Sequence, residues 1–172
     1  DFIVEKSIEF KKKALDVSRS IGLKQIESYA IDGLAKIYLE ANDFNNAEKY
    51  LHECLKIREE LNFKSGIAET NFQLGDLYLN INRLDYALSH LNSALKIAEE
   101  TNTKEVAYKT HKSLYTLYEK QSNNTKFIEH FKNYYTLKEE FFSEKNKQKL
   151  KGVEMQVSIS QIEKEKELLN QK

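Results

Sequence analysis

The sequence has 172 residues, 40% of them hydrophobic, which is enough for one domain or one segment of a repeat array. Its 27 basic and 27 acidic residues cancel, so no overall field favours nucleic acid, an anionic membrane or an acidic substrate. The single cysteine excludes an internal disulfide and a multi-cysteine zinc site. Proline is absent, which favours helices throughout.

Apolar residues three and four positions apart predict a chain made of helices. Short polar turns, such as Asn42-Asp43 and Asn82-Arg83, separate these segments in pairs, so each pair forms a helix hairpin. No window approaches the ~20 apolar residues that span a bilayer. The predicted helices lie near residues 3–20, 25–40, 44–61, 66–80, 84–100, 105–120 and 125–142.

A shift of 40 residues superimposes the sequence on itself and shows an internal repeat. Leu34, Tyr38, Ala47 and Leu51 fall onto Leu74, Tyr78, Ala87 and Leu91. The sequence therefore contains three full units and a preceding half unit. We place the half unit and its link at 1–27, the full units at 28–67, 68–107 and 108–147, and a helical tail at 148–172.

Gly75 stands inside a predicted helix, where glycine costs ~1 kcal/mol relative to alanine. Its counterpart one unit earlier is Ala35, another small residue. We interpret both as clearances that let a neighbouring helix pack closely, and not as a ligand loop.

The residues LGDLY, followed by Ala87, Leu91 and Ala94, resemble the tetratricopeptide repeat. The resemblance covers roughly residues 20–140, and the 40-residue spacing is similar to an elongated subclass of that family. It implies an all-α fold, a right-handed α-solenoid of helix hairpins, here followed by an extended C-terminal helix that could form a coiled coil. The third unit departs, since Tyr115, Phe127 and Tyr134 occupy small-residue positions. We expect it to be splayed or to end the array as an atypical repeat.

No group of residues in the sequence has the spacing of a catalytic or metal site. His52, His90, His111 and His130 show no pairing four residues apart, so we expect them on the surface or at the groove edge. Cys54 occupies a small-residue position and is expected to be a buried, inert thiol. The prediction is a non-enzymatic chain without a metal or another cofactor.

The resemblance implies that function lies on the concave face, which the first helices of successive units line. Phe72 is the large apolar residue expected there, either as a binding anchor or as cover for a neighbouring helix. Lys36, Asp76 and Thr116 fill a position that is Asn in the family's carboxylate clamp, which argues against that specialised function. The predicted concave residues are Tyr29, Asp32, Lys36, Glu40, Glu69, Phe72, Gln73, Asp76, Asn80, Lys109, Lys112, Ser113, Thr116 and Lys120.

After Phe142 the pattern changes to a charge-rich stretch and then to an apolar alternation over 153–159. Alone, the alternation is typical of a strand, but a helix with Met155, Ile159, Ile162 and Leu169 on one face is favoured. Such a helix should pair with a second copy, forming a homodimer, or with the solenoid, and Gly152 could kink it.

The tail resembles the connector that follows such repeats in bacterial signalling proteins. This implies a sensory module that binds a protein or peptide in its groove and passes that state to an output domain. A structural spacer with a dimerisation tail and a eukaryotic-type adaptor scaffold are the alternatives. We expect no nucleic-acid partner, a fragment of a longer chain, and a cytoplasmic location, with a periplasmic sensor region as the alternative.

Overall fold

A computed structural model describes the backbone of residues 2–170 and the side chains of 4–161 and 163. This part of the chain contains seven α-helices and no strand. Each helix packs on the next, and α4 also contacts α6, so the hairpins stack into the expected solenoid. The helices are α1 (Phe2–Ser20), α2 (Lys24–Glu40), α3 (Phe44–Glu60), α4 (Lys64–Asn80), α5 (Leu84–Glu100), α6 (Lys104–Lys120) and α7 (Asn124–Asn170).

The six turns between these helices share one conformation. In each turn a residue with positive φ follows the helix, and the next N–H donates to the carbonyl five residues back, as from Asp43 to Tyr38. This is a Schellman motif, which favours glycine or asparagine at the left-handed position. The left-handed residues recur every 20 positions: Gly22 (71°), Asn42 (57°), Asn62 (50°), Asn82 (60°), Asn102 (52°) and Ser122 (55°).

The next position in this spacing is Phe142, and no turn forms there. A bulky side chain is disfavoured in the left-handed region, so the helix continues. The predicted end of the last helix near residue 142 is therefore wrong, since α7 is one helix of 47 residues. Residues 153–159 are helical, as favoured, and Gly152 lies within the helix.

The core consists of side chains that recur with the repeat. Leu51, Leu74, Leu91 and Leu114 are completely buried in one cluster that crosses the three full hairpins. A Cβ added to Gly75 would lie 2.6 Å from Leu91 Cγ, so this glycine is the predicted clearance. The absence of a side chain lets α4 and α5 approach each other.

The third hairpin accommodates aromatic rings where the other units have small residues. Tyr115 meets Phe127, Phe131 and Tyr134 edge to face, with ring centroids 5.5–5.7 Å apart. Leu114 nevertheless remains completely buried, and α6 packs closely on α7. The splayed alternative is therefore wrong. Within the described residues, no helix is both long and apolar enough to cross a membrane.

Candidate functional site

Side chains of α2, α4 and α6 line two cavities of about 480 and 260 Å³ along the first helices of the units. Phe72 and Lys109 line both cavities, so the two adjoin at these residues. Phe72 is half-buried and also packs against the core. The ring therefore covers its neighbours, as one interpretation has it, and also lines the groove, while its role as a binding anchor stays a prediction. The two cavities together are the candidate site, which we call the groove.

At the α2 end of the groove, the charged residues engage one another. Gln73 Nε2 donates to Asp32 Oδ1 at 3.1 Å, and both residues are buried. Lys36 Nζ lies 2.8 Å from Asp32 and 2.9 Å from Glu69. Burial disfavours the charged form of Lys36, but its hydrogen bonds to Asp32 and Glu69 outweigh this and raise its pKa. Asp32 and Gln73, predicted to face a ligand, join α2 to α4, and Gln73 also lines the larger cavity.

A buried arginine supports this end of the groove and was missed from the sequence. Arg58 Nη1 donates to Gly66 O at 3.0 Å and to Thr70 Oγ1 at 2.7 Å, and it lies 3.5 Å from Asp32. One unit later its position is occupied by Ala98. That mismatch within the repeat is the signal that could have found Arg58.

At the α6 end, two ammonium groups remain available. Lys109 Nζ pairs with Glu105 at 2.6 Å, and Ser113 Oγ donates to Asp76 Oδ1 at 2.8 Å. Within the part of the chain that the structure describes, Lys112 has no carboxylate partner, and neither does Lys120, which also lines the smaller cavity. Among the residues that line the smaller cavity Asp76 is the one carboxylate, so this end of the groove carries an excess of positive charge.

The remaining predicted concave residues lie at the periphery of the groove. Asn80 and Thr116 line the smaller cavity, and Thr116 Oγ1 donates to the backbone of its own helix at 3.1 Å. Glu40 is exposed. Tyr29 is also exposed and meets Phe63 edge to face, outside both cavities.

The sequence predicts all four histidines on the surface or at the groove edge. Two of them instead lie inside the third hairpin. His111 and His130 are buried, with their Nδ1 atoms 2.8 Å apart. One unit earlier, Asn71 and His90 form the equivalent contact at 2.9 Å. The 40-residue shift aligns these two pairs, so comparing the units could have found the contact. The surface prediction was wrong because each ring of the pair faces the other.

His90 and His130 also belong to a ring stack that recurs in each of the three hairpins. The signature tyrosine of each first helix lies against a ring on the second helix. The centroid distances are 5.5, 5.5 and 5.4 Å for Tyr38–Tyr50, Tyr78–His90 and Tyr118–His130. The signature tyrosine therefore has a structural role in each hairpin.

Cys54 is completely buried, and its Sγ donates to Ser28 O at 3.4 Å. Burial raises the pKa of this thiol to about 11, which keeps it protonated and unreactive at neutral pH. Among the described residues, no group of three or more His, Cys, Asp or Glu side chains could hold a metal ion.

The predicted dimerisation residues lie on the extension of α7. Met155 and Ile159 are exposed, whereas the side chains of Ile162 and Leu169 lie outside the described part of the chain. At 100° per residue, Val153 lies about 160° around the helix from Met155. The exposed apolar residues of the extension therefore occupy two opposite faces.

Residues 25–100 match the tetratricopeptide repeat family. The crystal structure of BtubC (BKLC) from P. vanneervenii is similar, with a TM-score of 0.71 and 22% identity, which shows the fold alone. The match covers 80% of this chain and 57% of that chain, so this chain spans little more than half of its length. No curated protein matches significantly. The repeat signature and the stacked hairpins agree with this match, and residues 25–100 are similar to tetratricopeptide repeats.

Proposed function

We propose that the protein is a binding scaffold whose groove takes an extended, acidic segment of a partner protein. Stacked repeats of this kind form extended concave surfaces that suit such partners. The observation that carries the proposal is the pair of adjoining cavities that share Phe72, next to the unpaired Lys112 and Lys120.

Phe72 supplies the apolar contact. It is half-buried, so its ring is held by the core while one side faces the cavities. An aromatic ring that the core already holds in place loses little entropy on binding. It therefore suits an anchor for one apolar side chain of the partner.

The lysines of α6 supply the charge preference. Lys36 is already bound to Asp32 and Glu69, so it offers little to a ligand. Lys112 and Lys120 can each donate to a carboxylate, and charge-assisted hydrogen bonds of this kind are about twice as strong as neutral ones. An acidic segment therefore gains most at the α6 end.

We further propose that groove occupancy is coupled to an output through α7. α6 carries Lys112 on the groove side, while His111, the adjacent residue, contacts His130 of α7. A ligand that prefers one position of α6 would shift the population of α7 positions. Such coupling would suit a sensory module of a larger bacterial signalling protein. The connector-like tail is a second argument for that role.

The proposal is tested by fluorescence anisotropy with labelled peptides that carry several Asp or Glu residues around one Leu or Phe. Phe72→Ala and Lys112→Glu should each weaken binding about tenfold, the loss expected for one anchor or one charged contact. Binding should also weaken with added salt.

Lys96→Glu is the matched control, because Lys96 is exposed on α5 and lines neither cavity. It makes the same charge change and should leave the affinity within twofold. Equal losses for Lys112→Glu and Lys96→Glu would reduce the effect to overall charge and contradict groove binding.

A spacer with a dimerisation tail is the second candidate, favoured by the 47-residue length of α7. In that case the groove variants should be silent in every binding assay, while removal of residues 145–172 abolishes self-association. An adaptor scaffold of the eukaryotic type would bind its partner without any change in α7. Spin labels on α7 distinguish these outcomes from the coupled mechanism.

A further inference from the structure

One face of α7 presents seven large apolar side chains to solvent, with exposed fractions between 38% and 60%. At 100° per residue they lie within about 100° of arc, and at 1.5 Å per residue they extend over about 44 Å. An apolar face of this length on a helix is typical of a helix–helix interface. We call it the α7 stripe: Ile128, Phe131, Tyr135, Phe142, Leu150, Val153 and Val157.

In the preceding unit the side chains at the equivalent positions are packed more deeply. Phe131 and Tyr135 correspond to Leu91 and Leu95 of α5. Leu91 is completely buried, and Leu95 packs against the core clusters that α6 completes. In the third unit no turn follows at Phe142, so no further helix of the described chain folds back over the stripe.

The second half of the stripe cannot cover the first within one molecule. Leu150 lies 15 residues after Tyr135 on the same continuous helix, a rise of about 22 Å. The extension, residues 143–161, is exposed along its length. A helix without packing is only marginally stable in water, so the extension requires a partner surface.

The spacing of the stripe is nearly the same in both directions from Phe142. Tyr135 lies 7 residues before it and Leu150 lies 8 after it. Phe131 and Val153 are each 11 residues away, and Ile128 and Val157 are 14 and 15 away. An antiparallel copy of the helix would therefore meet the stripe with apolar residues opposite apolar residues.

We propose that the α7 stripe is a homodimer interface in which two copies of α7 pair antiparallel about a two-fold axis near Phe142. A two-fold interface requires a self-complementary surface, and the mirrored spacing provides one. The aromatic half of each stripe, Phe131 and Tyr135, packs against the aliphatic half of the other, Val153 and Leu150. Large rings thus face smaller side chains, which suits close packing.

In this dimer the extension of each copy lies where α6 lies on α5, so each extension completes the other copy's last unit. This interface is not the tail-only pairing that the sequence predicts. That pairing would use Met155 and Ile159, which lie on the opposite face of the helix.

Analytical ultracentrifugation of the full chain tests the proposal. The wild-type chain should sediment with twice the mass of one chain, and Val153→Glu and Leu150→Glu should each reduce it to the monomer mass. Met155→Glu is the matched control, since Met155 is at least as exposed as Leu150 and Val153 but lies on the opposite face, and it should remain dimeric. A monomeric wild type, or dimers lost with Met155→Glu but kept with Val153→Glu, would overturn the interface.

Cysteine cross-linking tests the antiparallel arrangement, because a disulfide needs Cβ atoms about 4 Å apart. Phe142→Cys should link to its own copy, and Tyr135→Cys should link to Leu150→Cys only when the two variants are mixed. Cys54 is buried and gives no background. A Tyr135→Cys link between identical chains would indicate parallel helices and overturn the arrangement.

Discussion

The Nδ1 atoms of His111 and His130 lie 2.8 Å apart, so one ring donates its proton and the other accepts it. A proton on each Nδ1 would place two N–H groups against each other. Burial and the neighbouring His130 lower the pKa of His111 to about 4, and burial also lowers the pKa of His130. The joint between α6 and α7 therefore requires that at least one ring is neutral.

The free energy of unfolding should fall as the pH drops. Both histidines have a lower pKa in the folded chain than the ordinary 6.5, so the unfolded chain binds more protons below that value. Their contribution is complete above pH 6.5 and is lost progressively toward pH 4, by roughly 3 kcal/mol for His111 alone. Urea unfolding across this range measures it.

His111→Asn isolates the contribution of the pair. Asn71 occupies the same position one unit earlier and contacts His90 at 2.9 Å, so asparagine should accept from His130 in the same way. The variant should fold and show a shallower loss of stability between about pH 6.5 and 4. An unchanged slope would mean that other groups cause the pH dependence.

Gly75→Ala should destabilise the protein although alanine favours helices. The added Cβ would lie 2.6 Å from Leu91 Cγ and 3.1 Å from its backbone nitrogen, so α5 must move. Overpacking of this kind costs about 1–3 kcal/mol. Gly152→Ala is the control, since nothing lies within 4 Å of its Cβ position, and it should stabilise α7 by up to about 1 kcal/mol. Thermal unfolding compares the two.

Asn82→Val should destabilise the central hairpin, because Asn82 has φ of 60° and a β-branched residue is strained there. The expected loss is about 1–2 kcal/mol. Asn82→Gly removes the strain and should be neutral or slightly stabilising. Chemical denaturation of the two variants gives the difference, and equal stabilities would show that this turn does not constrain the hairpin.

Arg58→Met should cost about 1–3 kcal/mol, since Gly66 O and Thr70 Oγ1 lose a buried donor, whereas Asp32 keeps its other partners. Lys64→Met is the matched control: it removes an exposed ion pair with Glu100 and should cost less than about 1 kcal/mol. Denaturant midpoints measure both variants. Comparable losses would contradict a structural role for the buried arginine.

The repeat made most of the fold predictable, because apolar spacing and turn residues recur every 40 positions. The end of the last helix was not predicted. Composition after Phe142 suggested a new segment, whereas the local rule is conformational: the chain turns only where a residue accepts positive φ. An alignment of the six turn residues with position 142 would have predicted the longer helix, because Phe142 stands where the turns have Gly, Asn or Ser.

The groove was predicted as a surface, but not its internal bonds. Lys112 and Phe72 line it as expected, whereas Asp32 and Gln73 bond to each other. Helical spacing gives the direction of a side chain but not the partner on the adjacent unit. Arg58 shows the reason, since a long side chain from α3 reaches the space between α2 and α4.

Left-handed turn residues recur every 20 positions, so a single residue determines at each of these positions whether the chain turns back or the helix continues. At position 142 the packed hairpins give way to the single extended helix of α7. A lineage could therefore exchange a binding unit for a rigid arm, or the reverse, by a few substitutions around a single turn. The extended helix and a further hairpin therefore differ in whether one residue adopts a left-handed or a helical conformation.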